Sequence, residues 1–166
     1  GGSTQEVALW LISSAVEAAR EGFCITNADL DDLRIVYVNP AFSRITGYGF
    51  AEVIGRSPIF LQGDLSDRRV LQRLRSDLEA GRDFHGETMN YHKDGTPFLM
   101  DWYITALRDP RGETTHYLAV QRDRTEQRAR DATRVRIEEA MRQTDAAILL
   151  LDGHRRTVFA TPAFQA

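Results

Sequence analysis

One cysteine, Cys24, is the only thiol in this 166-residue chain. It excludes an internal disulfide and a cysteine-based zinc site, and it leaves the cytoplasm as the expected compartment. No apolar run approaches the roughly 20 residues that a bilayer span requires. Charge of one sign is not in excess either. With 21 Lys and Arg against 24 Asp and Glu the formal charge is -3, which gives no reason to expect nucleic acid or an anionic membrane as a partner. The histidines His85, His92, His116 and His154 show no metal-ligand spacing. Nucleophile elbows, Gly-rich phosphate loops and paired-carboxylate motifs are missing too, so catalysis within this chain is not expected. Gly1-Gly2-Ser3 is expected to be a cloning scar with no signal peptide behind it.

What is present suits one α+β domain with an appendage: 42% hydrophobic and 27% charged residues can build a core. The chain is organised around Gly55-Arg56-Ser57-Pro58-Ile59-Phe60-Leu61-Gln62-Gly63. That stretch is expected to be a tight connection with a buried apolar tip, too short for a helix of its own. Asp67–Ala80 follows as an amphipathic helix, with Val70, Leu71, Leu74 and Leu78 at helical spacing. Together they predict a wall closed over a cavity.

Ahead of it, Thr4–Arg20 reads as a helix with a broad apolar face, capped by Thr4 with Glu6 close behind and ended by Gly22. Phe23–Thr26 and Arg34–Val38 read as strands around an acidic turn, Asn27–Asp32. Asn39-Pro40 starts a short helix that stops near Gly47, and Phe50–Ile54 gives another helical turn. Three strands come after the long helix: His85–His92, Pro97–Leu107 and Thr114–Arg122. Lys93-Asp94-Gly95-Thr96 and Asp109-Pro110-Arg111-Gly112 are their turns. An antiparallel sheet pairing Phe23–Thr26 with Thr114–Arg122 is the expectation on which the fold depends.

From Thr125 to about Gln143 the chain is helical and highly charged. Ala129, Thr133, Ile137, Ala140 and Thr144 form a thin seam, expected to make a dimer contact, with a solvated helix as the alternative. The last residues, Ala147–Asp152 and Arg156–Phe164, echo Gly22–Asn27 and Ile35–Phe42. Such a repeat predicts a tandem array cut off after one hairpin of its second copy. The expected divisions are 1–21 (scar and flanking helix), 22–124 (the domain), 125–145 (linker helix) and 146–166 (start of a second domain).

The order of elements, with Asn39-Pro40-Ala41-Phe42, Thr46-Gly47-Tyr48, Gly55-Arg56, Asn90–Gly95 and Gln121–Glu126, resembles a PAS sensor domain over Gly22 to Glu126. Phe60-Leu61-Gln62-Gly63, Asn90-Tyr91 and Val120-Gln121 resemble its flavin-binding light-oxygen-voltage (LOV) branch. The resemblance implies an α+β fold: a five-stranded antiparallel sheet with helices on one face, an N-terminal helix and a C-terminal signalling helix. It also implies a cavity for flavin, FMN or FAD. Gln121 matches the glutamine that faces flavin N5–O4 and flips its amide, a group with one donating and one accepting end. Gln62 and Asn90 match polar contacts, Arg75 a phosphate-pairing arginine, and Thr26, Ser57, Leu61, Leu71, Leu74, Leu78, Trp102, Ile104 and Tyr117 further cofactor-binding positions. Asp123 and Thr125 match the Asp-x-Thr junction that caps the signalling helix, and Glu52 with Lys93 matches a PAS ion pair.

Several positions depart from the LOV pattern. Ser57-Pro58-Ile59 replaces asparagine, cysteine and arginine, so no cysteinyl adduct can form at Pro58 and the second phosphate arginine is missing. Met100 and Trp102 stand where an asparagine and a phenylalanine belong. None of the histidines lies on the Asp67–Ala80 helix, so haem is disfavoured; Cys24, at a pocket position, is expected to be a small hydrophobe. Two functions are consistent with this. The first is a sensory input module that binds flavin non-covalently, senses redox or light, pairs as a homodimer through its flanking helices and drives a downstream output domain. The second is a ligand-free dimerisation and relay module whose pocket is filled by Trp102 and Met100.

Overall fold

Ser3, not Thr4, begins the first helix. In the computed structural model, which describes residues 3–143 and 149–160, α1 spans Thr4–Ala18. Ser3 Oγ accepts from the Glu6 amide at 3.2 Å while Glu6 Oε2 accepts from the Ser3 amide at 2.7 Å, a reciprocal capping box. The apolar residues of α1 scatter around the helix, and none of them is buried: Val7, Leu9, Trp10, Leu11 and Ile12 all face outward.

The chain divides after Thr125 into two units. In the first, β1 (Gly22–Asn27), β2 (Ile35–Val38), β3 (Phe84–Tyr91), β4 (Pro97–Arg108) and β5 (Thr114–Asp123) form one antiparallel sheet in the order β2-β1-β5-β4-β3. The expected pairing of first and last strands is present, with Gly22 opposite Gln121 and Cys24 opposite Ala119. Along β4 every second residue turns inward, so Phe98, Met100, Trp102 and Ile104 are buried on one face. Between β2 and β3 run α2 (Pro40–Thr46), α3 (Phe50–Val53) and α4 (Arg68–Glu79).

Asn39 joins three of these elements. Its Oδ1 accepts from the amides of Phe42 (3.1 Å) and Phe23 (2.7 Å), and its Nδ2 donates to the carbonyls of Val16 and Glu21, both at 3.0 Å. The side chain is fully buried and all four of its hydrogen-bonding positions are used. Asn39 thereby caps α2, holds the start of β1 and ties down the end of α1. Gly47 ends α2 at φ 82°, a left-handed conformation that glycine takes without strain.

The organising stretch differs from expectation in two respects. Pro58–Leu61 winds into one 3₁₀ turn, and of its apolar residues only Leu61 is buried, while Ile59 is 64% exposed. A single turn can direct only one side inward, so its apolar residues cannot all be covered.

In the second unit the charged helix α5 runs Thr125–Arg142, with Arg130–Glu126 and Arg134–Glu138 pairs one turn apart on its surface. It buries no residue, and Ala129, Thr133, Ile137 and Ala140 of the seam are exposed. Strands β6 (Leu149–Leu151) and β7 (Thr157–Ala160) pair antiparallel. Thr144, and Ala147, Ile148 and Thr161–Phe164 of the repeat, lie outside the described residues.

Candidate functional site

The inner face of the sheet, α4 and the Pro58–Leu61 turn surround a cavity of about 270 Å³, near the ~300 Å³ lower bound of ligand pockets. Thr26 reaches it from β1, Asn90 from β3, Trp102 and Ile104 from β4, and Tyr117 and Gln121 from β5. Leu71, Leu74, Arg75 and Leu78 line it from α4, at the i, i+3, i+4, i+7 spacing that shares one helix face. Leu61 and Gln62 complete the set from the turn.

Ser57 is the expected site residue that the fold leaves out. It sits just before the turn, where its carbonyl accepts from the Phe60 amide at 3.4 Å; its neighbours Pro58 and Ile59 line the cavity instead. Leu30, Leu33 and Ala119 also line it, and sequence reasoning missed them. For Leu30 a signal existed: it is the large apolar residue of an otherwise acidic turn, Asn27–Asp32.

Trp102 and Met100 are buried as walls and do not fill the space. Trp102 lies between Gly86 on β3 and Gln121 on β5, its ring tilted against Phe84 at 5.6 Å. Gly86 makes this packing possible. A Cβ there would stand 2.6 Å from Phe84 Cζ and 2.8 Å from Arg73 Nη2. Arg73 covers the Phe84 ring at 4.6 Å and donates to the His85 carbonyl at 2.7 Å. The cavity stays open beside the tryptophan.

Its polar groups are few and unevenly satisfied. Thr26 Oγ1 donates to the Asn27 carbonyl at 2.9 Å. Asn90 Oδ1 and Gln121 Oε1, on residues each 6% exposed, are buried without a hydrogen-bond partner among the described residues. A buried acceptor left in that state costs about 1–3 kcal/mol, so the cavity presents unmet demand for donors between apolar walls. A flat heteroaromatic ring with an N–H edge meets that demand, and on this ground the residues fit a flavin. Cys24, by contrast, is inert: burial pushes its thiol up to about 12, which keeps it protonated.

Arg75 is not the free cation its expected role requires. Nη2 contacts Asp31 Oδ1 at 2.5 Å, Nε contacts Glu79 Oε1 at 2.7 Å, and Nη1 donates to the Leu30 carbonyl at 3.0 Å. The residue clips α4 to the acidic turn across the cavity mouth. Asp31 had no visible link to Arg75 in the sequence, because 44 positions separate them.

At the exit, Asp123 Oδ1 accepts from the Thr125 amide at 2.9 Å, a capping contact at the start of α5. The Thr125 hydroxyl does something else: it accepts from the Leu99 amide on β4 at 2.8 Å, while the Arg124 amide donates to the Leu99 carbonyl at 2.9 Å. Leu99 adjoins Met100, a cavity wall, so the junction is stitched to the strand that lines the site. Glu52 and Lys93 form the expected ion pair between α3 and the hairpin.

The sequence profile of the PAS domain matches residues 20–126. A nitrogen fixation regulatory protein of Klebsiella oxytoca is 32% identical over 160 residues, covering 93% of this chain and 32% of that protein. A blue-light-activated histidine kinase of Brucella anthropi is 35% identical over 113 residues, 68% of this chain and 23% of the kinase. Among solved structures, a light-oxygen-voltage domain studied with a flavin analogue shares 35% identity at a TM-score of 0.66, covering 78% of this chain and 96% of that one. An RNA-binding light-oxygen-voltage receptor shares 28% at 0.72, covering 87% and 41%. The chain thus spans about a third or less of the curated relatives it matches. With its five-stranded antiparallel sheet, α4 and inner cavity, it belongs to the PAS domain family, and its structural neighbours lie in the LOV branch.

Proposed function

We propose that this PAS domain is the sensory input of a larger signalling protein, and that it binds flavin non-covalently and senses redox state or light without a cysteinyl adduct. The observation that carries the reading is the pair of buried, unpartnered oxygens, Asn90 Oδ1 and Gln121 Oε1, in an otherwise apolar cavity. A bound flavin would supply a coloured, redox-active ring whose hydrogen-bonding edge changes with its state. Asn90 and Gln121 would orient that ring, and Leu61, Leu71, Leu74 and Ile104 would exclude water from it.

Transmission rests on Gln121. Its amide can present either a donor or an acceptor, and reversing it changes the load on β5. Asp123 is two residues further along the same strand, and Thr125 anchors α5 to Leu99. A small shift of β5 therefore acts on the first turn of α5. A ligand state moves this equilibrium only through its different affinity for the two arrangements.

The flanking helices are the proposed homodimer contact, since α1 exposes Val7, Leu9, Trp10, Leu11 and Ile12, and α5 exposes Val135 and Ile137. An output domain in the longer protein and a cytoplasmic setting belong to the same reading; no described helix is long and apolar enough to cross a membrane. Absorbance and fluorescence of the purified protein test the proposal. Flavin bands that co-purify, or appear on reconstitution, support it. A protein that stays colourless after reconstitution instead favours the ligand-free relay.

A further inference from the structure

β3 is an edge strand of the sheet, and a short strap, residues 63–67, is stitched to it by three bonds. The Leu65 amide donates to the Tyr91 hydroxyl at 3.0 Å, the Ser66 hydroxyl to the Met89 carbonyl at 2.5 Å, and the Asp67 amide to Thr88 Oγ1 at 2.6 Å. The strap also closes on itself. The Gly63 amide donates to Ser66 Oγ and the Ser66 amide to the Gly63 carbonyl, both at 3.0 Å. With the Tyr91 ring packed where a Cβ of Gly63 would stand, little slack remains in this link.

Both ends of the strap belong to the cavity. Gln62, just before it, lines the wall. Asp67, its last residue, opens α4: its Oδ1 accepts from the Arg69 amide at 2.8 Å and its carbonyl from the Leu71 amide at 3.1 Å. The stitches fall on Thr88, Met89 and Tyr91, which bracket Asn90, whose Oδ1 is buried without a partner among the described residues. An opening of this edge that lets water reach Asn90 recovers the free energy lost by leaving that oxygen unpaired. A ligand that pairs it cancels the gain, so occupancy holds the edge shut.

Resting on the flavin reading, we propose that Thr88 and Tyr91 are positioning residues on a second line of transmission. Occupancy at Asn90 tightens β3 against the strap, and the strap carries the change to the first turn of α4. This line leaves the cavity on the opposite side of β4 from the one that runs through Gln121 and Asp123 to α5. The domain then reports its state at two places.

Hydrogen exchange of the full chain, followed by mass spectrometry with and without saturating FMN, tests this. In the parent protein FMN is expected to slow exchange in residues 63–72 and in β5 by about fivefold or more. Thr88→Val with Tyr91→Phe nearly keeps both side-chain shapes and removes both acceptors. In that variant the slowing should vanish from 63–72 and persist in β5, with FMN affinity within about threefold of the parent. Thr88→Ser, which keeps its acceptor, should behave as the parent. Asn90→Leu removes the unpaired oxygen, and in the ligand-free protein it should slow 63–72 as FMN does. Slowing confined to β5 in the parent would overturn the inference and leave the flavin reading standing. So would slowing of 63–72 that survives in the double variant, or an Asn90→Leu protein whose exchange there matches the parent. An absence of FMN binding would overturn both.

Discussion

Asn90 on β3 and Gln121 on β5 flank β4 from opposite sides, yet their side-chain oxygens lie buried and unpartnered in the wall of the same cavity. Two such groups on separate strands of one sheet make the ligand-free domain less stable than its core would allow.

Gln121→Leu relieves one of these demands while roughly keeping side-chain volume. The ligand-free variant should gain about 1 kcal/mol, which for a domain of this size raises Tm by about 3–6 °C. Flavin affinity should fall in the same variant. Thermal unfolding with and without added flavin measures both. A Tm that drops in the ligand-free protein would mean that Gln121 is structurally satisfied.

Asn39 is the reverse case, a buried amide with nothing left unmet. Asn39→Ala strands the Phe23 and Phe42 amides and the Val16 and Glu21 carbonyls. The loss should be about 3 kcal/mol or more, since each buried orphan costs about 1–3 kcal/mol. Urea denaturation reads it. Asn39→Asp keeps the acceptor and forfeits the donor, and should fall between wild type and alanine.

Gly63 is constrained by space alone. A Cβ there would meet Tyr91 Cε2 at 2.3 Å, and the Tyr91 hydroxyl is fixed by the Leu65 amide at 3.0 Å, so the ring cannot swing away freely. Gly63→Ala should cost about 1–3 kcal/mol through overpacking. Gly63→Ala combined with Tyr91→Leu should recover most of the loss.

Glu52 predicts a pH dependence. The hydrogen bond from Lys93, then that from the Gly49 amide, hold its carboxyl below the usual glutamate value. Because the folded value is lowered, the stabilisation is full above the unfolded value of about 4.3 and is lost as pH falls through the folded one. Glu52→Gln should therefore lower stability near pH 7, where this stabilisation is full, flatten the acid limb below about pH 5 and converge with the parent protein at acid pH. Denaturation midpoints across that range are the check. An unchanged acid limb would place the titration elsewhere.

The sheet was readable because its signals are local. Alternation in Pro97–Arg108 and the Lys93–Thr96 turn fix β4 and its hairpin without reference to anything distant. Most of the cavity was readable for the same reason, since Leu71, Leu74, Arg75 and Leu78 repeat at helical spacing. What failed depended on partners far along the chain. Arg75 could not be seen to pair with Asp31, nor the Thr125 hydroxyl with Leu99, because neither pair has any local pattern. Ser57 was placed by analogy of position, and the 3₁₀ turn carried it away from the cavity. Ser3 was set aside as scar, although its hydroxyl caps α1.

The bond between the Thr125 hydroxyl and Leu99 also matters to anyone grafting this sensor onto a foreign effector. A chimera spliced after Thr125 inherits the whole linkage between strand and helix. One spliced a single residue earlier, with a side chain that cannot accept a hydrogen bond at that position, leaves the Leu99 amide without its acceptor and should yield a fusion that folds but responds poorly to its input.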